Sequence, residues 1–163
     1  RTTTALRLLD EVNPTIVRAN ASEILSLAAA GGATKGVDST RGVDEARDTA
    51  IAIARQAGAV VAVTGAEDFV TDGERRLRVG NGHPLMARVT GTGCVCSSLV
   101  GAFAAVQADP LVATVGTLVV YGIAGELAAA GDPRPGTFRT RLIDALDAVT
   151  PEEVLARARV TSE

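Results

Sequence analysis

A chain of 163 residues with 47% hydrophobic and 21% charged side chains is long enough and apolar enough to form one domain around one sizeable core. Its net charge of −3 is interspersed, with no block of Lys or Arg, which argues against the concentrated basic face that nucleic-acid binding requires. Phe69, Phe103, Tyr121 and Phe138 are its aromatics, and with no Trp beside them a base-stacking site has little to work with.

In chain order, Thr4–Val12 predicts the end of a helix, broken by Pro14, and Thr15-Ile16-Val17 predicts a short buried strand. Asn20 then caps a helix over 21–30, with Glu23 in the box position three residues on. Gly31-Gly32 stop that helix, and a loop follows through Lys35-Gly36-Val37-Asp38-Ser39. A second helix over 43–57 carries an apolar stripe of Val43, Ala46, Ala50, Ile53, Ala54 and Ala57. The continuous apolar run 59–64 has the pattern of a parallel strand covered on both faces. Phe69-Val70-Thr71 reads as a short strand, and Asp72-Gly73 turns it into a hairpin with 74–79.

Residues 79–93 read as a long loop, followed by a helix from Cys94 through Val106 and a second apolar helix over Leu111–Ala130. The latter is twenty residues long with one charge, Glu126, enough to span a bilayer. Its Ala and Gly content, its lack of interfacial Trp and its lack of a basic flank favour a buried core helix and no membrane. Two helices, 138–149 and 151–159, close the chain, the second opened by Pro151. Strands followed by helices predict a layered α/β architecture with a helical C-terminal half, 1–163 as a single domain. Cys94 and Cys96, two apart on a helix, point to different faces and suit neither a disulfide nor a metal pair. Free thiols, and the absence of a long apolar core in Arg1–Asp10, lead us to expect no signal peptide and a cytoplasmic location.

The segment with most chemical content is Thr90-Gly91-Thr92-Gly93-Cys94. Glycines allow close approach of backbone, and a helix start exposes N–H groups with partial positive charge. Together these make an anion hole, with Thr92 and Gly93 at its centre, suited to a phosphoryl group. No Lys-Ser or Lys-Thr follows, so this is not a Walker motif. Taken alone, a tight connection explains the same glycines.

The string VTGTGC at Val89–Cys94, with NGHPLM at Asn81–Met86 before it, resembles the signature of hydroxyethylthiazole kinases. That family belongs to the ribokinase-like kinases, whose usual turn ends in Asp rather than Cys. NPTIVRANASEI at Asn13–Ile24, GVDS at Gly36–Ser39 and VAVTGAEDFVTDG at Val61–Gly73 extend the resemblance in the family's order. It implies an α/β, ribokinase-like layered sheet flanked by helices, whose N-terminal part, with further strands and thiazole contacts, is missing here. It implies ATP and Mg2+ as cofactors, a small thiazole alcohol as phosphoryl acceptor, and assembly as a homotrimer. Arg18 and Thr64 are assigned by it to ATP, Gly91 to the substrate and Cys94 to the position of the catalytic base. Asn20 and Glu23 match the family's Asn-x-x-Glu element, which holds magnesium and the phosphates.

Each assignment has a physical sense and a plainer rival. Arg18, at a strand end, can fork onto phosphate oxygens, or form a surface ion pair. Glu23 offers hard oxygen to magnesium, or only caps its helix. Thr64 ends the best strand, where α/β ligand sites gather. Cys94 accepts a proton, or is a small buried hydrophobe. His83, Asp38 and Asp72 read as loop and turn residues and Cys96 as packing. The competing functions are another ribokinase-like activity, such as a hydroxymethylpyrimidine phosphate kinase or a nicotinamide-nucleotide hydrate dehydratase, and a catalytically silent oligomerisation module using the two apolar helices.

Overall fold

In the computed structural model, which describes residues 2–30 and 43–163, the two β-branched runs form adjacent parallel strands. Strand β1 (Ile16–Asn20) lies alongside β2 (Val60–Thr64), with Ile16 opposite Val60 and Asn20 opposite Thr64. β2 pairs antiparallel with β3 (Asp68–Thr71), and the sheet continues in order to β4 (Arg76–Val79) and β5 (Val160–Ser162). The first four residues of β2 are buried, as its unbroken apolar run predicts. Between β3 and β4, Asp72 Oδ1 accepts the amides of Glu74 and Arg75 while Gly73 takes φ +98°, a conformation open to glycine.

By its contacts the chain divides into two compact units, one of Arg1–Arg78 with Ser162–Glu163 and one of Val79–Thr161. The first unit adds three helices to its strands: α1 (Thr2–Val12), α2 (Ala21–Ala30) and α3 (Val43–Ala57). Its core is Ile24, Ala46, Ala50, Ala54, Val61, Val63 and Phe69, with Ala5, Leu6 and Leu9 of α1 packed against it. The α3 stripe is rotated slightly from the sequence reading. Ile51 is buried, whereas Val43 and Ile53 are only half buried. The loop 31–42, including the expected Gly36–Ser39 motif and Asp38, lies outside the described residues.

The second unit is built on α5 (Pro110–Ala128), which packs against α4 (Thr92–Ala104), α6 (Pro135–Ala148) and α7 (Pro151–Arg157). α5 is the one described helix long and apolar enough to cross a membrane, but 72% of its most apolar stretch is buried inside the fold. Asp109 caps α5 by accepting the amides of Leu111 and Val112, and Pro110 takes the first helical position.

The layered α/β class with a helical C-terminal half is as expected, and several boundaries are corrected. β1 does not end at Val17, because parallel pairing with β2 carries it through Asn20. Residues 84–88 form a short 3₁₀ helix inside the expected loop, started by Pro84. α4 begins at Thr92 rather than Cys94, since Gly91 already turns the backbone into it. α6 begins at Pro135, three residues early. The last helix stops at Arg157, where pairing partners draw the β-branched Val160-Thr161 into β5.

Glycines of the helical unit give a graded packing test. A Cβ at Gly122 would sit 2.6 Å from the Asn81 backbone, whereas one at Gly125 would meet only the movable thioether of Met86, and at Gly101 it would meet nothing. Gly122→Ala is expected to destabilise by about 1–3 kcal/mol through overpacking, and Gly125→Ala by less. Gly101→Ala is expected to stabilise by up to about 1 kcal/mol through helix propensity. Urea-denaturation midpoints of the three variants check the order.

Candidate active site

In the first unit the structure brings Arg18 and Thr64 together. Arg18 lies in the middle of β1, not at its end, and its half-buried guanidinium donates from Nη2 to Thr64 Oγ1 at 2.9 Å. The Thr64 hydroxyl in turn reaches the Ala19 carbonyl at 3.4 Å. Parallel register explains the meeting: Thr64 stands opposite Asn20, two residues beyond Arg18 on the same face of β1. Both residues are thus gathered near the carboxyl ends of two parallel strands, where α/β folds collect ligands.

Asn20 and Glu23 also meet, as a reciprocal helix cap. Asn20 Oδ1 accepts the Glu23 amide at 2.9 Å and the Ser22 hydroxyl at 2.8 Å, and Glu23 Oε2 accepts the Asn20 amide at 2.8 Å. Both residues are exposed. Among the described residues no group of three or more His, Cys, Asp or Glu side chains is placed to hold a metal.

Asp68 was not singled out from the sequence. It is 9% exposed, and its Oδ1 accepts the Gly65 amide at 2.9 Å, closing the turn between β2 and β3. Burial pushes its carboxyl up to about 6, against the opposing pull of the Gly65 N–H and the Arg18 charge. The same turn is held at Glu67, which accepts Arg78 Nη1 at 3.0 Å; Arg78 also pairs with Asp44 and Glu163. A carboxylate three residues after the glycine that follows β2 is the trace of this turn in the sequence.

In the second unit Gly91 caps α4 with φ +99°, and Thr92, Gly93 and Cys94 form the helix's first turn. Thr92 is committed to structure: its hydroxyl donates to Met86 O at 2.8 Å and Val89 O at 3.0 Å, and its carbonyl accepts the Tyr121 hydroxyl at 2.9 Å. Its amide lies 3.5 Å from Val89 O, which leaves Gly93 and Cys94 as the better anion donors of the turn. Cys94 is exposed and Cys96 is buried, so the two thiols do face different ways and Cys94 is not a packing residue.

The NGHPLM motif resolves into scaffold. Asn81 is buried; its Nδ2 donates to Arg157 O at 2.9 Å and to Glu126 Oε1 at 3.3 Å, and its Oδ1 accepts the Arg159 amide at 2.8 Å. Glu126, the lone charge of α5, also accepts the Gly82 amide at 2.9 Å and Arg159 Nη2 at 2.5 Å. Burial works against that charge, but the Gly82 N–H, Arg159 and Asn81 together hold the carboxyl below its usual range. His83 Nδ1 accepts the Leu85 amide at 3.2 Å and so starts the 3₁₀ helix, a structural task.

A mixed sheet flanked by helices, whose parallel pair brings Arg18 to Thr64, is an α/β architecture of the ribokinase-like class. Residues 1–152 match the model of the Hydroxyethylthiazole kinase family. Relatives include the hydroxyethylthiazole kinases of Granulibacter bethesdensis, 52% identical over 91% of this chain and 54% of that protein, and of Desulfotalea psychrophila, 45% identical over 98% and 59%. A solved structure of the hydroxyethylthiazole kinase protein from Pyrococcus horikoshii superposes with a TM-score of 0.88 at 38% identity, covering 99% of this chain and 59% of that one. The chain belongs to the hydroxyethylthiazole kinase family, and it spans less than two thirds of the length of these relatives.

Asp68 gives a prediction with a definite sign. Its folded pKa of about 6 lies above the ordinary 3.8, so the folded state holds the proton more tightly than the unfolded one. Its contribution is therefore fully present below pH 3.8 and is lost as pH rises to about 6. Asp68→Asn removes that loss, and its stability relative to the native chain is expected to improve between pH 4 and 7.5, by up to about 3 kcal/mol. Urea unfolding of both chains at the two pH values measures it.

Proposed function

We propose that this chain carries the ATP-handling and proton-accepting parts of a kinase that phosphorylates the alcohol of 4-methyl-5-(2-hydroxyethyl)thiazole in thiamine biosynthesis. The observation that carries the reading is the exposed Cys94 in the glycine-capped first turn of α4, joined to the family membership of the chain. Phosphoryl transfer asks a protein chiefly for alignment and charge stabilisation. Arg18 forks onto phosphate oxygens of ATP, and Thr64 orients that guanidinium through its hydroxyl. Amides of Gly93 and Cys94, at the positive end of α4, stabilise negative charge on the phosphoryl group as it moves. Gly91 leaves room for the acceptor, since its backbone has no side chain to intrude.

The Cys94 thiolate takes the proton of the acceptor alcohol and becomes a thiol, as the alcohol oxygen bonds to the γ-phosphorus and the bond to the ADP leaving group breaks. Glu23 and Asn20 are the residues that would hold a magnesium ion, which would supply charge neutralisation to the nucleotide phosphates. The Glu23 carboxylate has one oxygen on the Asn20 amide, so capping the helix and meeting the ion are compatible tasks. The names of the relatives support the thiazole as acceptor. A homotrimer and a cytoplasmic location complete the reading.

Mg-ATP-dependent phosphorylation of hydroxyethylthiazole by the purified chain tests this directly. Cys94→Ala is expected to slow turnover by about 10²–10⁴ while leaving ATP affinity unchanged, the range of general-base help. Cys94→Asp, which restores a proton acceptor, is expected to keep activity. An unchanged rate in Cys94→Ala would take Cys94 out of the mechanism, and a folded native chain that neither turns over nor binds Mg-ATP would sink the kinase reading for it.

A further inference from the structure

We propose that Asp68 is a positioning residue for the nucleotide: by holding the Gly65 amide it fixes the turn that leaves β2, and with it the Thr64 hydroxyl against Arg18. The inference rests on the assignment of Arg18 and Thr64 to ATP made above.

The geometry is local and closed. Thr64 is the last residue of β2 and Gly65 follows it directly, so an anchored Gly65 amide limits the backbone rotations that swing the Thr64 side chain. That anchor is the 2.9 Å bond to Asp68 Oδ1. Asp68 is itself held by the sheet, for it opens β3, whose Phe69 pairs with Val63 of β2 and is fully buried. The turn has little other freedom. A Cβ at residue 65 would stand 2.5 Å from Val43 Cγ2, so only glycine lets the chain pass this close to α3. Arg78 Nη1 holds the far side of the turn through Glu67 at 3.0 Å. At the end of the arrangement, Thr64 Oγ1 receives Arg18 Nη2 at 2.9 Å. Arg18 is also the cation whose charge acts on Asp68, so the carboxylate and the guanidinium share one neighbourhood.

A purely structural task explains Asp68 less well. Desolvation outweighs its hydrogen bond and its attraction to Arg18, so the ionised group lowers stability at neutral pH. A neutral residue that accepts the same amide would serve the fold better. A buried carboxylate that closes the turn after Thr64, beside groups suited to phosphate, fits a site that trades stability for order.

The decisive measurement is the affinity of the whole chain for Mg-ATP by titration calorimetry, on the native protein, Asp68→Ala and Asp68→Asn. Asp68→Ala removes the acceptor and is expected to weaken binding about tenfold, the equivalent of one lost hydrogen bond. Asp68→Asn keeps an acceptor oxygen and is expected to stay within about threefold of the native chain, while being the more stable protein at neutral pH. Asp68→Val, which keeps volume and strand propensity, carries the same comparison where the alanine variant does not fold. Native affinity in the variants lacking the acceptor overturns the proposal. Equal loss in the alanine and asparagine variants overturns it too, since the effect would then follow the charge and not the Gly65 bond. A folded native chain that binds no Mg-ATP sinks the nucleotide assignment itself, a failure distinct from the other two.

Discussion

Parallel pairing of β1 with β2 is the constraint from which the grouping of Arg18, Thr64 and Asn20 follows. Residues 18 and 64 are far apart in sequence, and neither has an intrinsic reason to approach the other. The register that sets Asn20 opposite Thr64 leaves Arg18 two residues back on the same face, and its long side chain closes the gap to the Thr64 hydroxyl. A shift of one residue would turn Arg18 to the other face of the sheet, because side chains alternate along a strand. The same strand end delivers the chain into α2, whose first amides are met by Asn20 and Glu23. Strand pairing, helix capping and the grouping of polar residues are thus one local arrangement.

In the helical unit the corresponding task falls to α5. An apolar helix buried among α4, α6 and α7 supplies a rigid reference, and two of its polar side chains reach the loop around the glycine turn. Tyr121 holds the carbonyl of Thr92, and Glu126 holds the amide of Gly82. Glu126 explains its own position: a single charge in a core helix is tolerable when Gly82, Asn81 and Arg159 surround it with donors. The close approach of Gly122 to the Asn81 backbone brings the loop within reach of these side chains. Gly91, with its positive φ, then starts α4 so that Cys94 falls in the exposed first turn.

The polar groups of the two units divide by what they do for stability. Glu126 and Thr92 are satisfied by several partners and pin backbone, tasks that favour the folded state. Asp68 accepts one amide in a dry setting and Cys94 stands exposed at a helix start, positions that the core does not require. Groups of the second kind are where chemistry is to be sought, since a fold gains little from them.

Much of this was legible in the residues themselves. Periodicity located α3, the apolar run located β2, Asp72-Gly73 located the hairpin turn, and the Asn20-x-x-Glu23 spacing foretold a cap that the structure forms with both bonds. The family was legible too, from short strings around Asn20, Thr64 and Gly91. These are local properties, set within a few residues by propensity and turn chemistry. Tertiary structure alone decided the rest: that Arg18 meets Thr64, that Thr92 spends its hydroxyl on Met86 and Val89, that Asp68 is buried against Gly65, and that Val160–Ser162 is a strand. Each of these depends on a partner supplied by packing or strand register, and a side chain's role as ligand, latch or cap is settled by which neighbour reaches its polar atom first.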